Sequence, residues 1–259
     1  VSSNARVLAA GETNVGMKRN HNEDNFAVLE DERLYVVADG MGGHASGEVA
    51  SQMAIDTLRD FFKTTSADPE GTWPYKMDKA RGYEENRLIT GVKLANLRIF
   101  ESAQRESKQR GMGTTIVAIL VVDDGVLVGH VGDSRVYRWR DNKLEQLTED
   151  HSLLNDYIKM KRLSEEEIAN FPHKNVIVRA LGMKESVKVD TILDPPKPGD
   201  IYILCSDGLS GPVSDDEIAD VLRTTPELRA ACSRLIERAN ANGGPDNVTV
   251  VMCKWVGAG

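Results

Sequence analysis

Acidic residues in this chain recur where apolar, strand-like runs begin or end. Asp39-Gly40 follows Leu-Tyr-Val-Val-Ala, and Asp207-Gly208 follows Ile-Tyr-Ile-Leu-Cys-Ser. Asp133 closes Val-Leu-Val-Gly-His-Val-Gly, Asp246-Asn247 precedes Val-Thr-Val-Val, and Glu23-Asp24 lies just ahead of Phe-Ala-Val-Leu. If those strand ends converge, several carboxylates share a small volume. Without counter-charge they repel, and each raises the others' pKa. Divalent cations remove that repulsion, and a set of hard oxygen donors with no Cys/His group suits magnesium or manganese better than zinc. Taken singly, Asp-Gly and Asp-Asn are ordinary turn pairs; their recurrence at strand ends favours the metal reading. Gly40, with no Cβ, would let its carbonyl approach such an ion, though a turn glycine explains it equally well at this point.

The elements that must position these acids show two periods. Runs rich in Val and Ile at residues 34–38, 114–122, 126–131, 135–139, 201–205 and 248–253 read as strands. Asp124-Gly125 and Asp141-Asn142 read as hairpin turns, which implies antiparallel pairing. Val49, Met53 and Phe61, with Ala50, Ala54 and Leu58, make one helical face; Leu88, Val92, Ala95 and Ile99 make another. Ser164 with Glu167, and Ser214 with Glu217, are capping boxes. Pro226 suits the first turn of a helix running towards Asn240. Residues 64–81, with Pro69, Gly71 and Pro74, read as a loop. The expectation is a single mixed α+β domain over residues 1–259, an antiparallel sheet covered by helices.

Composition narrows the function. A net charge of −8 argues against nucleic acid as partner, because a phosphate backbone rewards basic surfaces. No apolar run approaches the roughly 20 residues that span a bilayer, so no membrane is expected. Cys205, Cys232 and Cys253 are too few and scattered for a disulfide framework or zinc site, which fits a reducing cytoplasm. Cys232 and Arg238 match the Cys-x5-Arg spacing of cysteine phosphatases. The intervening residues sit in a helical pattern, whose amides are already bonded and cannot cradle phosphate.

The chain resembles the PPM family, the type-2C metal-dependent Ser/Thr protein phosphatases, in its bacterial branch. The matching stretches are Arg19-Asn-His-Asn-Glu-Asp24, Val37-Ala-Asp-Gly-Met-Gly-Gly-His44, Gly111-Met-Gly-Thr-Thr115, Val131-Gly-Asp-Ser-Arg135, Leu147-Thr-Glu-Asp-His-Ser152, Asn175-Val-Ile-Val-Arg-Ala-Leu-Gly182, Cys205-Ser-Asp-Gly-Leu209 and Gly244-Pro-Asp-Asn-Val-Thr249. They stand in the family's order across almost the whole chain, and the ordered set is specific.

The resemblance implies a β-sandwich of two antiparallel sheets flanked by helices, with metals between the sheet ends. It implies that Asp39, the Gly40 carbonyl, Asp207 and Asp246 bind two manganese or magnesium ions. Glu23 and Asp24 match the family's acidic pair, and Asp133 with Asp207 matches a third, weaker site. Arg19 stands where the family places its phosphate-binding arginine; the other reading is an ion pair with Glu23. Two cations about 3.5–4 Å apart can hold a bridging water and lower its pKa towards neutrality for attack on phosphorus. His44 is the candidate general acid, against a plain turn histidine; Met41 stands where animal relatives have histidine. His21, His130, His151 and His173 read as structural or exposed. The region 150–172 should form a mobile flap near the site that helps select phosphoproteins, against the alternative of a solvated helix pair with no substrate contact. It has Lys161-Arg162 where many relatives have glycine, and Val178 replaces a more usual threonine.

The implied activity is hydrolysis of phosphoserine and phosphothreonine in proteins by a cytoplasmic monomer that opposes a Ser/Thr protein kinase. The rival is a catalytically weak regulatory module of the same fold that binds phosphoproteins.

Overall fold

The computed structural model describes residues 5–43, 46–123, 125–161, 163–172 and 176–258. Two antiparallel sheets pack face to face. One runs in the order β1 (Ala5–Asn14), β11 (Val248–Ala258), β10 (Ile201–Cys205), β7 (Arg135–Arg140), β8 (Lys143–Gln146). The other runs β2 (Asp24–Leu29), β3 (Leu34–Met41), β5 (Ile116–Val122), β6 (Gly125–Val131), β9 (Asp190–Asp194), with the short β4 (Gly113–Thr114) paired to the end of β3. Helices α1 (Ser46–Ala67) and α2 (Tyr83–Arg105) cover the second sheet. Helices α6 (Asp215–Thr224) and α7 (Leu228–Ala241) cover the first. The chain is therefore the α+β sandwich that the resemblance implied.

Period-2 alternation explains the layering, since successive strand side chains point to opposite faces. In β3, Leu34, Val36 and Ala38 face the helices, while Tyr35 and Val37 face the other sheet. In β10, Ile203 and Cys205 turn outward, and Tyr202 and Leu204 inward. Both faces of the central strands are buried, so they read as continuous apolar runs. Each fully buried aliphatic side chain contributes about 1.5–3 kcal/mol.

The two sheets are also tied by polar groups away from the strand ends that carry the acids. Arg138 on β7 pairs with Asp194 on β9 at 2.5 Å, and the Tyr202 hydroxyl donates to the same carboxylate at 2.6 Å. Arg140 grips Asp200 beside them.

Several local expectations hold. Asp141 and Asn142 take φ of 51° and 58° between Arg140 and Lys143, the left-handed pair that a two-residue hairpin turn needs. Ser164 opens α4 (Glu165–Ala169) and Ser214 opens α6, each with both bonds of a capping box. Cys232 and Arg238 both lie in α7, and all three cysteines are buried and free. Other expectations shift. Helix α1 continues to Ala67, into the stretch read as loop. Pro226 precedes the N-cap residue Glu227, whose carboxylate accepts from the amides of Arg229 and Ala230, so it leads into α7 rather than forming its first turn. The run 114–122 divides at Thr115. Strands β1, β8 and β9 had no place in the sequence reading. Helix α3 (Leu153–Lys161) lies with α4 in the region 150–172, for which the alternative to a substrate-meeting flap was a solvated helix pair. Asp124 of the expected hairpin lies outside the described residues.

The capping box of α6 gives a direct stability test. Ser214→Ala removes the acceptor for the Glu217 amide and should cost about 0.5–2 kcal/mol, read as a lower melting temperature in a thermal scan.

Candidate metal and phosphate site

The inward rows of the strands do not stay apolar to their ends. Continuing Tyr35 and Val37 by two residues reaches Asp39, and extending Val28 and Phe26 back reaches Asp24. By the same parity β10 leads to Ser206, β11 to Thr249, β5 to Thr115 and β7 to Ser134. One rim of the intersheet layer is thus made of carboxylates and hydroxyls. Asp39 lies inside β3 rather than after it, and Asp207 opens the one-turn helix α5 (Asp207–Ser210) rather than a turn.

Asp24 and Asp39 are directly opposed in the β2–β3 ladder. Like charges so placed repel. Asp24 Oδ2 accepts from Ser206 Oγ at 2.8 Å and Thr249 Oγ1 at 2.7 Å, both from the facing sheet. These bonds do not offset its burial, which pushes its pKa up to about 6. Asp39 is raised well above the usual carboxylate range, by burial first and then by Asp24, Asp207, Asp133 and Asp246. Burial followed by Asp207 and Asp150 lifts Asp133 to about 7. Asp207 is raised by burial and then Asp246. The buried oxygens Asp24 Oδ1, Asp133 Oδ1 and Asp207 Oδ1 have no hydrogen-bond partner among the described residues. Crowded, protonation-prone carboxylates with unused buried lone pairs are what a cation-binding donor set looks like without its cations, so these residues fit divalent metal.

Glu23 and Gly40 are locked by backbone. The Gly40 amide donates to the Glu23 carbonyl at 3.1 Å, and Ser51 Oγ donates to the same oxygen at 2.6 Å. The Glu23 amide donates to Asn247 Oδ1 at 2.8 Å. The Glu23 carboxyl sits at the N-terminal end of α1, bonded by the Gly47 amide, yet burial still raises its pKa. A Cβ on Gly40 would stand 2.0 Å from the Gly47 carbonyl oxygen, so this position admits glycine alone. Gly208 is equally constrained, its Cβ position lying 1.8 Å from the Asn247 carbonyl oxygen.

Arg19 pairs with Asp246, not Glu23. Its Nη2 stands 2.8 Å from Asp246 Oδ2, and its side chain is 51% exposed. The other Asp246 oxygen accepts from the Asn247 amide at 2.8 Å. The acids and Arg19 therefore gather at one rim, whereas His44 lies outside the described residues. Sequence reasoning missed Ser206, Thr249, Thr115, Ser134 and Asn247; strand parity, carried past the apolar run, was the signal that would have found the first four.

A second group, His130, His151 and Asp190, brings its ligand atoms within 4.8 Å of one another. The two imidazoles stack at 4.7 Å with planes only 16° apart. Stacked rings cannot both place one ion in their planes, as nitrogen lone pairs require. Arg179 Nη1 already stands 3.1 Å from His151 Nε2 and 3.0 Å from Asp190 Oδ2. Burial pushes His130 down to about 4 and lowers His151, which favours the neutral form of both rings. We assign this group to structure, as the sequence suggested for both histidines.

Comparison with known proteins agrees with this geometry. The protein phosphatase 2C family model matches residues 17–252. Serine/threonine phosphatase stp of Listeria welshimeri is 39% identical over 247 residues, covering 93% of this chain and 92% of its own length. The crystal structure of the Mycobacterium tuberculosis serine/threonine phosphatase PstP/Ppp superposes with a TM-score of 0.83 at 37% identity, covering 96% of this chain and 98% of that one. A structure of the PstP catalytic domain with two manganese ions gives a TM-score of 0.78 at 36% identity, covering 97% and 99%. The chain belongs to the protein phosphatase 2C family, the metal-dependent serine/threonine phosphatases, and within it to the bacterial branch.

The raised carboxyls set the pH response of the metal-free protein. Asp24, Asp39, Asp133 and Asp207 hold protons to higher pH when folded than unfolded, so the folded state binds more protons and stability falls as pH rises. The melting temperature of chelated protein should drop as pH rises from about 4 through about 7, and Asp133→Asn should shrink the drop. A profile unchanged by that substitution would show that Asp133 is not strained by its neighbours.

Proposed function

We propose that this phosphatase removes phosphate from phosphoserine and phosphothreonine in proteins, using two manganese or magnesium ions held by Asp39, the Gly40 carbonyl, Asp207 and Asp246. Glu23 and Asp24 stand behind that set and hold it through their contacts to α1, Ser206 and Thr249. A third, weaker cation is assigned to Asp133 and Asp207. Bound ions would stabilise charge on the phosphoryl oxygens and acidify the attacking water. The observation that carries this reading is the set of buried carboxylate oxygens with no partner among the described residues, on side chains that repel one another.

The chain's own residues supply the rest. Arg19 is tethered at one nitrogen by Asp246, and its exposed guanidinium keeps donors for a phosphate dianion; the planar fork matches phosphate geometry. His44 is proposed to protonate the leaving alkoxide. The region 150–172 contains α3 and α4 and is read as the part that meets the phosphoprotein chain; Arg162 and the Lys161 side chain lie outside the described residues. No helix among the described residues is long and apolar enough to cross a membrane. A single catalytic domain over residues 1–259, a cytoplasmic monomeric state and a partner Ser/Thr kinase complete the proposal. The rival binding module would not need this full complement of acids.

Hydrolysis of an aryl phosphate and a phosphothreonine peptide, with manganese or with chelator, tests the reading; full activity after thorough chelation would sink it. Asp39→Asn should lower turnover by about 10³-fold or more with metal present. Arg19→Ala should raise KM for phosphosubstrates by about tenfold with little change in melting temperature, whereas an unchanged KM with a lower melting temperature would make the Asp246 pair purely structural. His44→Ala should slow phosphopeptide hydrolysis by about 10²-fold but aryl phosphate far less; equal losses would remove the general-acid role.

A further inference from the structure

The turn that carries Asp133 is gripped from both sides. On one side His151 holds Gly132 twice. The His151 amide donates to the Gly132 carbonyl at 2.9 Å, and the Gly132 amide donates to His151 Nδ1 at 2.9 Å. On the other side the Ser134 and Thr115 hydroxyls meet at 2.7 Å, and Thr115 Oγ1 also accepts from the Asp39 amide at 3.1 Å. Gly132 adopts φ +114°, and a Cβ there would stand 2.7 Å from Thr115 Cβ, so the turn has no alternative seat.

The Gly132 bond dictates the His151 tautomer. A backbone N–H needs a lone pair, so Nδ1 is unprotonated and the neutral ring carries its proton on Nε2. Nε2 stands 2.8 Å from Asp190 Oδ2, which accepts that proton. Arg179 donates to the same oxygen at 3.0 Å and holds the carboxylate in place. His130 packs flat on the other face of the ring. Orientation and tautomer of a buried, neutral imidazole are thus both specified, yet nothing in the phosphoryl chemistry described above uses this ring.

We infer that His151 is a positioning residue for the third cation: Asp190 keeps its Nδ1 an acceptor, and Nδ1 fixes the Gly132–Asp133 backbone and so the aim of the Asp133 carboxylate. This rests on the reading of Asp133 as a ligand. A weak ion with few protein donors is the one most sensitive to such support, because little else pins it, and outer partners of metal ligands typically change affinity 10–100-fold, by about that range here. His151 also has a scaffold role. Its carbonyl accepts from the Val178 amide at 2.9 Å, and the next residues bond across to Val176 and Ile177, joining the two ends of the segment between. The test must therefore separate the ring's chemistry from loss of packing.

Asparagine and glutamine divide the imidazole between them. His151→Asn keeps an acceptor where Nδ1 was; His151→Gln keeps a group near Asp190 and loses the acceptor for Gly132. Manganese binding to the whole chain is counted by the EPR signal of free ion, beside thermal melts. Asp133→Ala serves as reference and should lose the weak ion only. His151→Gln should weaken that ion at least about tenfold while both tight ions stay, and His151→Asn should remain within about threefold of the parent. In Asp190→Ala the ring remains, but among the described residues Arg179 is left as the partner of Nε2 and, being a donor, favours the proton on Nδ1 against the Gly132 amide. That variant should weaken the weak ion as glutamine does, with the imidazole 15N shifts of His151 reporting the exchanged tautomer. If asparagine and glutamine weaken the ion alike, or neither does, while Asp133→Ala still loses it, the positioning role is overturned. If His151→Gln fails to fold, Asp190→Ala decides: an exchanged tautomer with unchanged weak-ion affinity overturns it. Retention of the weak ion by Asp133→Ala would instead refute the ligand assignment beneath it.

Discussion

Mutual repulsion among carboxylates at one rim of the intersheet layer is the constraint around which this molecule is arranged. Asp24, Asp39, Asp133 and Asp207 are pushed together by strand pairing and sheet packing that are set elsewhere, by apolar rows such as Tyr35, Val37, Tyr202 and Leu204. The apolar interior supplies the binding energy, and the rim spends part of it on proximity. Hydroxyls from Ser206 and Thr249 engage one oxygen of Asp24 but leave its other free. The fold stops short of neutralising its own acids, and that shortfall is its capacity for cations.

Rigidity around the rim follows from the same need. Metal ligands must be held more firmly than they repel. Gly40 and Gly208 permit backbone contacts that no other residue would fit, and Thr115 links the backbone of Asp39 to the turn of Asp133. Arg135 forks onto Asp150 next to His151, so the segment leading to α3 is fastened at the same place. Precision is thus supplied by groups around the acids, and among the described residues Asp24, Asp133 and Asp207 each keep a buried oxygen without a partner.

Much of this was legible in the sequence, and unevenly so. The acids announced themselves because each adjoins an apolar run, and capping boxes named two helix starts outright. Strands β1, β8 and β9 were not legible. In β8, Lys-Leu-Glu-Gln lies at a sheet edge with three of four side chains exposed, so no alternation of hydrophobicity marks it. Asp39 was placed after its strand because the apolar run ends there, although pairing with Asp24 and Thr114 carries the ladder on to Met41. The sequence read His151 as structural or exposed, and it is buried, but a single histidine says nothing of its partners. Its meaning depends on Gly132, Asp190 and Arg179, which only the folded chain brings together.

The Arg138–Asp194–Tyr202 tie at the other end of the strands has a consequence for how the sandwich behaves as a body. There, positive and negative charges are both supplied by the chain, so the closure needs no divalent ion. At the acidic rim the chain supplies Arg19 against Asp246, and on the proposed reading divalent cations would balance the remaining acids. The protein is thus fastened like a book with a sewn spine and a clasp made of solute. On the proposed two-cation reading, depletion of divalent ions would leave that edge held by the Ser206 and Thr249 bonds to Asp24, while the spine stayed tight, so the looseness of one edge would follow the ion content of the surroundings.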